Sequence, residues 1–176
     1  MDNGKKRVLD RNFWWSFTIK KFIKENPPRS FLNKLTKDYW KMVNKRGDLY
    51  RDTISILDYL NSKAYKLGLL TDTDGLKGSK LKRIKTSNLK KWFNAIVIAG
   101  EDTKQLKPDK APLFLIAKKL NLNTKNCIFI GNDPDVDISG AKKLGMSTIL
   151  VRRKNDKIKI KPDRIVKKLE EIRGIL

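Results

Sequence analysis

Three short apolar runs in this sequence each end in residues that can do chemistry. Leu67 to Leu70 runs into Thr71, Asp72, Thr73, Asp74 and Gly75, and Ile128 to Ile130 runs into Gly131, Asn132, Asp133, Pro134, Asp135, Val136 and Asp137. Ala95 to Ala99 is followed by Gly100, Glu101 and Asp102, with Lys107 and Pro108 a few positions further on. Together they supply a hydroxyl, an ammonium and a cluster of hard oxygen donors, a set that suits a phosphate held beside Mg2+. Taken singly, each has a plainer reading. Asp72 and Asp74 would cap a helix, and Lys107 would be one more surface lysine. Asp133, Asp135 and Asp137, at alternate positions, would open a calcium loop, but that loop lacks its glycine at the sixth position and its glutamate at the twelfth.

Composition removes other chemistries. The 176 residues contain no histidine, which excludes Ser-His-Asp and Cys-His nucleophilic sites and His-ligated metals. Cys127 is the single cysteine, so neither an internal disulfide nor a thiolate cluster can form, and the expected compartment is the reducing cytoplasm. No run approaches a membrane span, and Met1 to Arg11 is polar rather than a signal segment.

The elements that must position these residues fall into two regimes, changing near Gly47 and Asp48. Before that point Phe13, Trp14, Phe17, Phe22 and Ile23 recur at helical spacing, as do Phe31, Leu32, Leu35, Tyr39, Trp40 and Val43. Pro27 and Pro28 separate two helices, with Ser30 as the expected N-cap of the second. The aromatics are expected to be core packing. After Asp48, helical stretches beginning near Asp52, Gly75, Pro108 and Val136 alternate with apolar runs at 67–71, 95–99, 127–130 and 148–151. That alternation predicts an α/β domain with a parallel, Rossmann-like sheet over residues 47–176, preceded by a small helical segment over 1–46. A last helix is expected from Ile165 to Ile172, ending at Gly174. In such a sheet ligands bind beyond the carboxyl ends of the strands, which is where the polar residues named above stand.

The joint pattern resembles the haloacid dehalogenase-like hydrolase superfamily, which is dominated by phosphatases. Leu69-Leu70-Thr71-Asp72 resembles its second motif, Lys107-Pro108-Asp109 its third, and Ile128 through Asp133 with Asp137-Ile138 and Gly140-Ala141 its fourth, followed by Gly145-Met146-Ser147-Thr148-Ile149. The likeness runs from about Tyr39 to the end, and the helices before it resemble the lower part of that family's cap. It implies Mg2+-dependent hydrolysis of a small phosphorylated metabolite. Thr71, Asp72 and Lys107 would bind the phosphoryl group, with Thr71 and Lys107 acting in catalysis, and Asn132, Asp133 and Asp137 would orient Mg2+. Asn132 departs from the family's aspartate and brings an oxygen without a charge.

The family's first motif is an apolar strand ending in two aspartates one residue apart, the first a nucleophile and the second an acid/base. Nothing here matches it. Val8-Leu9-Asp10-Arg11-Asn12 comes nearest, and there Asp10 reads better as a helix N-cap than as a nucleophile. In the family that strand is central to the sheet, so its absence would leave two strand pairs with unmatched edges. The expectation is a truncated chain of impaired activity; the alternative is that a partner or a rearranged N-terminal segment fills the gap. A non-catalytic phosphate- or nucleotide-binding protein is the runner-up. Nucleic-acid binding would use the net charge of +22, but the charge is spread along the whole chain and no recognition motif accompanies it. Oligomeric state is open.

Overall fold

A computed structural model describes residues 10–153 and 158–176. Val8 and Leu9, which entered the expectations above, lie outside the described residues. The chain divides into two compact units: a helical unit of residues up to 48 together with 73–87, and an α/β unit of residues 49–72 and 88–176.

In the helical unit α1 (Arg11–Ile23) pairs with α2 (Arg29–Arg46), and α4 (Ser79–Thr86) completes it. Asp10 is the N-cap of α1, its carboxylate accepting from Asn12 N at 2.8 Å. The expected cap Ser30 lies inside the first turn of α2 instead: Pro28, extended at φ −64° and ψ 147°, precedes the helix without a side-chain cap. The aromatics are only in part the core expected of them: Trp15, Tyr39 and Trp40 are half-buried and meet edge-on. Phe13, Trp14, Phe17 and Phe22 are exposed and α1 buries no residue. Polar bonds also join the pair, with Trp15 Nε1 donating to buried Thr36 Oγ1 (3.0 Å) and Thr36 to Asn12 Oδ1 (2.7 Å). Asp74, expected as a capping residue, is a buried anion held by Lys80 (2.5 Å) and Arg83 (2.8 Å), and Arg83 also stacks 4.2 Å from the Trp40 ring.

The α/β unit contains α3 (Thr53–Ser62), β1 (Gly68–Asp72), β2 (Ala95–Ala99), α5 (Lys110–Lys119), β3 (Ile128–Gly131), α6 (Ser139–Lys143), β4 (Ser147–Val151) and β5 (Arg164–Val166). All strand pairings are parallel, as the alternating pattern predicts: β1 with β2, β3 with β4, and β4 with β5. The expected final helix is different. Arg164–Val166 joins the sheet as β5, and only Leu169–Gly174 turns helically, in the tighter 3-10 form.

Among the described residues the strands form two sheets, β1-β2 and β3-β4-β5, with no ladder between β1 and β3. The layers that cover them are nevertheless shared. On one face Leu67 and Ile130 pack on the cluster of Ile56, Leu60, Ile149 and Val166; on the other, Leu70 and Phe129 pack with Leu113 and Ala141. Apolar burial is therefore continuous across a line where backbone pairing is not.

The approach to β5 is tied to β4 by Asp163, which accepts from Thr148 N (2.8 Å), Thr148 Oγ1 (2.7 Å) and Lys142 Nζ (2.8 Å). The Lys142 hydrogen bond, then those of Thr148, pull its carboxyl down to about 2. A carboxyl depressed on folding adds stability above its unfolded pKa and loses it as pH falls through the folded one. Urea midpoints measured at pH 6, 4 and 2.5 are expected to show an acid limb between pH 4 and 2 that flattens in Asp163→Asn. The effect stays under about 1 kcal/mol, because the Lys142 pair is half-exposed and solvent screens it.

Candidate functional site

The parallel register sets Thr71 and Asp72 opposite Ile98 and Ala99, and Gly131 opposite Leu150, so the chemistry-bearing residues leave their strands at the carboxyl ends. Lys107 links the two sheets there. Its backbone N–H donates to Asp72 Oδ1 at 3.1 Å, and its ammonium reaches Asp137 Oδ1 at 2.8 Å. Neither reading made of these residues singly survives: Asp72 caps no helix, and Lys107 is only 13% exposed, its partner Asp137 8%.

The loop carrying Lys107 is positioned by close packing. Lys107-Pro108 is a cis peptide bond, Asp109 caps α5 by accepting from Ala111 N at 2.8 Å, and the Pro108 carbonyl lies against Gly140, where a Cβ would stand 2.5 Å from that oxygen. Glycine at 140 is thus what lets α6 approach the lysine loop.

Asp137 sits on a π-helical turn, Pro134–Ile138. Its Oδ2 accepts from Asn132 N (3.0 Å) and Asp133 N (3.1 Å), so three donors surround one buried carboxylate. Asp133 caps the same turn, its Oδ1 accepting from Asp135 N (3.0 Å) and Val136 N (2.9 Å). A Cβ at Gly131 would collide with the Cβ of Asp137, so the glycine is the space into which the carboxylate folds back. Thr71 stands beside Asp72 on β1, its hydroxyl 3.4 Å from the Asp72 carbonyl. Of the remaining acids, Asp102 turns back on its own strand to accept from Ile98 N at 2.7 Å.

The donor set fits one mode of holding a hard cation and not another. Both oxygens of Asp137 are engaged by Lys107 and the two amides, and among the described residues no three His, Cys, Asp or Glu converge as a metal group. Asp133 and the Asn132 amide provide hard oxygens at the same turn. Mg2+ commonly takes one or two carboxylates, keeps several waters and relies on substrate phosphate for the rest, so a sparse set of this kind is compatible with it.

A neighbouring set falls outside the residues singled out for the site, since the sequence reads the basic stretch from Arg152 to Lys161 as a solvated edge or hairpin. Tyr50, Arg152 and Arg153 line a cleft with Asn132 and Asp133, and Arg153 stacks 3.7 Å from the centre of the Tyr50 ring. Only tertiary structure brings Tyr50 to the end of β4; the paired arginines directly after an apolar strand were the available signal.

Comparison with known proteins places this geometry among relatives. The family model described as haloacid dehalogenase-like hydrolase matches residues 11–151. A phosphoglycolate phosphatase of Salmonella choleraesuis is 26% identical over 161 residues, covering 84% of this chain and 62% of that protein. The chain therefore spans less than two thirds of that relative's length. A glyceraldehyde 3-phosphate phosphatase of Methanopyrus kandleri is 29% identical over 104 residues, 59% of this chain and 43% of its own. A solved phosphatase of this superfamily from Thermococcus onnurineus superposes with a TM-score of 0.70 at 25% identity over 92% of this chain and 69% of that one. A 2-haloacid dehalogenase of Pseudomonas syringae, at 18% identity and a TM-score of 0.69 over 94% of this chain and 69% of its own, shares the fold. Among the described residues no helix is long and apolar enough to cross a membrane.

Proposed function

Since the chain belongs to the haloacid dehalogenase-like hydrolase family, we propose that its site binds the phosphoryl group of a small phosphorylated metabolite and that hydrolysis is impaired by the missing nucleophile motif. The observation that carries the reading is the buried Lys107–Asp137 pair at the carboxyl ends of β1 and β3, within reach of the Asn132–Asp133 turn. A lysine held there with little solvent around it is a positive charge poised for phosphoryl oxygens, and Asp137 fixes where it points.

In this reading Thr71 donates its hydroxyl to a phosphoryl oxygen, Asp72 positions the lysine loop through the Lys107 amide, and Lys107 neutralises charge on the phosphoryl group. Asp133 and Asn132 would hold Mg2+, with Asp137 orienting their turn; when bound, the ion screens the phosphoryl charge and orients the ester. Residues 1–46, with α1 and α2, are read as the remnant of a cap, and 47–176 as the core. The single cysteine supports a reducing, cytoplasmic setting.

A carboxylate nucleophile is what the described site lacks. Asp72 and Asp137 are committed to Lys107 and to backbone amides, and Asp10 is a helix cap. That commitment favours phosphate binding without turnover as the second reading. The test is p-nitrophenyl phosphate hydrolysis by the purified chain with Mg2+ and with chelator, alongside phosphate-induced thermal stabilisation of the chain and of Lys107→Ala. The expected result is no turnover, with a stabilisation that Lys107→Ala removes. Mg2+-dependent turnover that survives Asp10→Asn would overturn the impairment, and stabilisation indifferent to Lys107 would overturn the site.

A further inference from the structure

The fold gathers charge that linear order spreads out. Because residues 73–87 join the helices that precede residue 48, the helical unit holds 15 Lys and Arg against 5 Asp and Glu among its 54 described residues. The 109 described residues of the α/β unit hold 21 against 12. A third of the molecule thus carries +10 and the remaining two thirds +9. One of the five acids, Asp74, is fully buried against Lys80 and Arg83 and presents no charge to a partner.

In α1 this charge meets apolar surface. No acid stands between Arg11 and Lys24, and Lys20, Lys21 and Lys24 close the helix. Phe13 and Phe17 are exposed one turn apart on one face, and Lys20 and Lys21 follow on the next turn of that face. Phe22, at 76% exposure, and Ile23 end the helix. Apolar side chains clustered this openly mark a surface that something covers.

We infer that α1 docks on the anionic surface of a phospholipid bilayer, its rings entering the headgroup layer and its lysines meeting the lipid charge. Lysine stems lie along an apolar layer while their ammonium groups stay at its polar edge, so the two residue types serve one contact. Charge selects this occupant. A second copy of the chain would set +10 against +10. A nucleic acid supplies negative charge, but its bases stack on open ring faces, whereas Phe13 and Trp14 meet edge to face (5.9 Å, 82°) and Ile23 has no ring. The contact is with a membrane surface and crosses nothing. It is independent of the phosphoryl-site reading.

Flotation of the whole chain with vesicles of phosphatidylcholine and phosphatidylserine, and with vesicles of phosphatidylcholine alone, tests this. Binding to the anionic vesicles is expected to be about tenfold tighter or better and to weaken with salt. Lys20→Gln/Lys21→Gln/Lys24→Gln should remove most of that preference. Lys90→Gln/Lys104→Gln/Lys167→Gln, which takes three charges from exposed positions of the α/β unit, should keep most of it. Phe13→Ala/Phe17→Ala leaves the net charge unchanged, and should weaken binding at least about tenfold with the circular dichroism of the chain intact. No binding, equal binding to both vesicles, or an equal loss in the two triple variants overturns the inference. Tighter binding to a single-stranded oligothymidylate that Phe13→Ala/Phe17→Ala removes also overturns it and assigns the face to nucleic acid. A dimer in sedimentation that the same variant dissolves overturns it in favour of a second copy.

Discussion

Lys107→Met is expected to destabilise the α/β unit by about 3 kcal/mol, a fall in Tm of roughly 6–12 °C for a chain of this size. The substitution keeps most of the volume of the side chain and removes its charge, leaving Asp137 ionised at 8% exposure. The Asn132 and Asp133 amides still donate to Oδ2, but Oδ1 loses its described partner. An uncompensated buried charge is what makes breaking such a pair far more damaging than replacing it whole. Asp137→Asn on the Lys107→Met background should therefore restore much of the loss, because the amide oxygen can still accept from the turn and no charge remains. Urea titrations of the four members of this cycle, followed by circular dichroism, give the coupling directly. A Lys107→Met penalty below 1 kcal/mol would mean that the pair is not a buried ion pair in solution.

The second large effect is a gain. Joining to the N-terminus, through a flexible linker, an apolar strand of five or six residues that ends in Asp-x-Asp is expected to raise p-nitrophenyl phosphate hydrolysis at least about a thousandfold over the chain alone. The place for it is the line between β1 and β3, where both covering layers are continuous and the backbone ladder is interrupted. Both flanking strands point their carboxyl ends toward Lys107, so a strand parallel to both brings its terminal aspartates to the same edge. It would also pair N–H and C=O groups along two open edges, a further stabilisation visible as a higher Tm. The partner experiment changes the first introduced aspartate to asparagine: the Tm gain should persist and the activity vanish. A Tm gain without activity in the parent fusion would show that the slot accepts a strand but that the remaining residues no longer support catalysis.

Much of this was legible in the chain, for reasons tied to particular residues. The runs at 95–99 and 128–130 have no internal polar residue and are bounded by turn formers, which leaves buried strands as the economical reading. β5 was not legible. Three residues with exposed Ile165 between Arg164 and Val166 carry no strand pattern of their own, and only the neighbouring edge of β4 makes them one. The exposed aromatics of α1 misled for the opposite reason: their helical spacing is real, but periodicity reports a face and not what covers it. At the site, Lys107, Asn132, Asp133 and Asp137 could be picked out because local spacing places them on two adjoining loops. The engagement of both Asp137 oxygens is a tertiary fact, as is the stacking of Tyr50 under Arg153.

The four tryptophans are distributed so that optical spectroscopy separates the two units. Trp14, Trp15 and Trp40 belong to the helical unit, while Trp92, buried and donating its indole N–H to Asp58 at 2.7 Å, is the sole tryptophan of the α/β unit. A variant retaining Trp92 alone has an emission that follows only the loss of the α/β packing, and a Trp92→Phe variant follows only the helices. Whether the chain melts as one cooperative body or as two thus becomes readable from the coincidence or separation of two fluorescence midpoints.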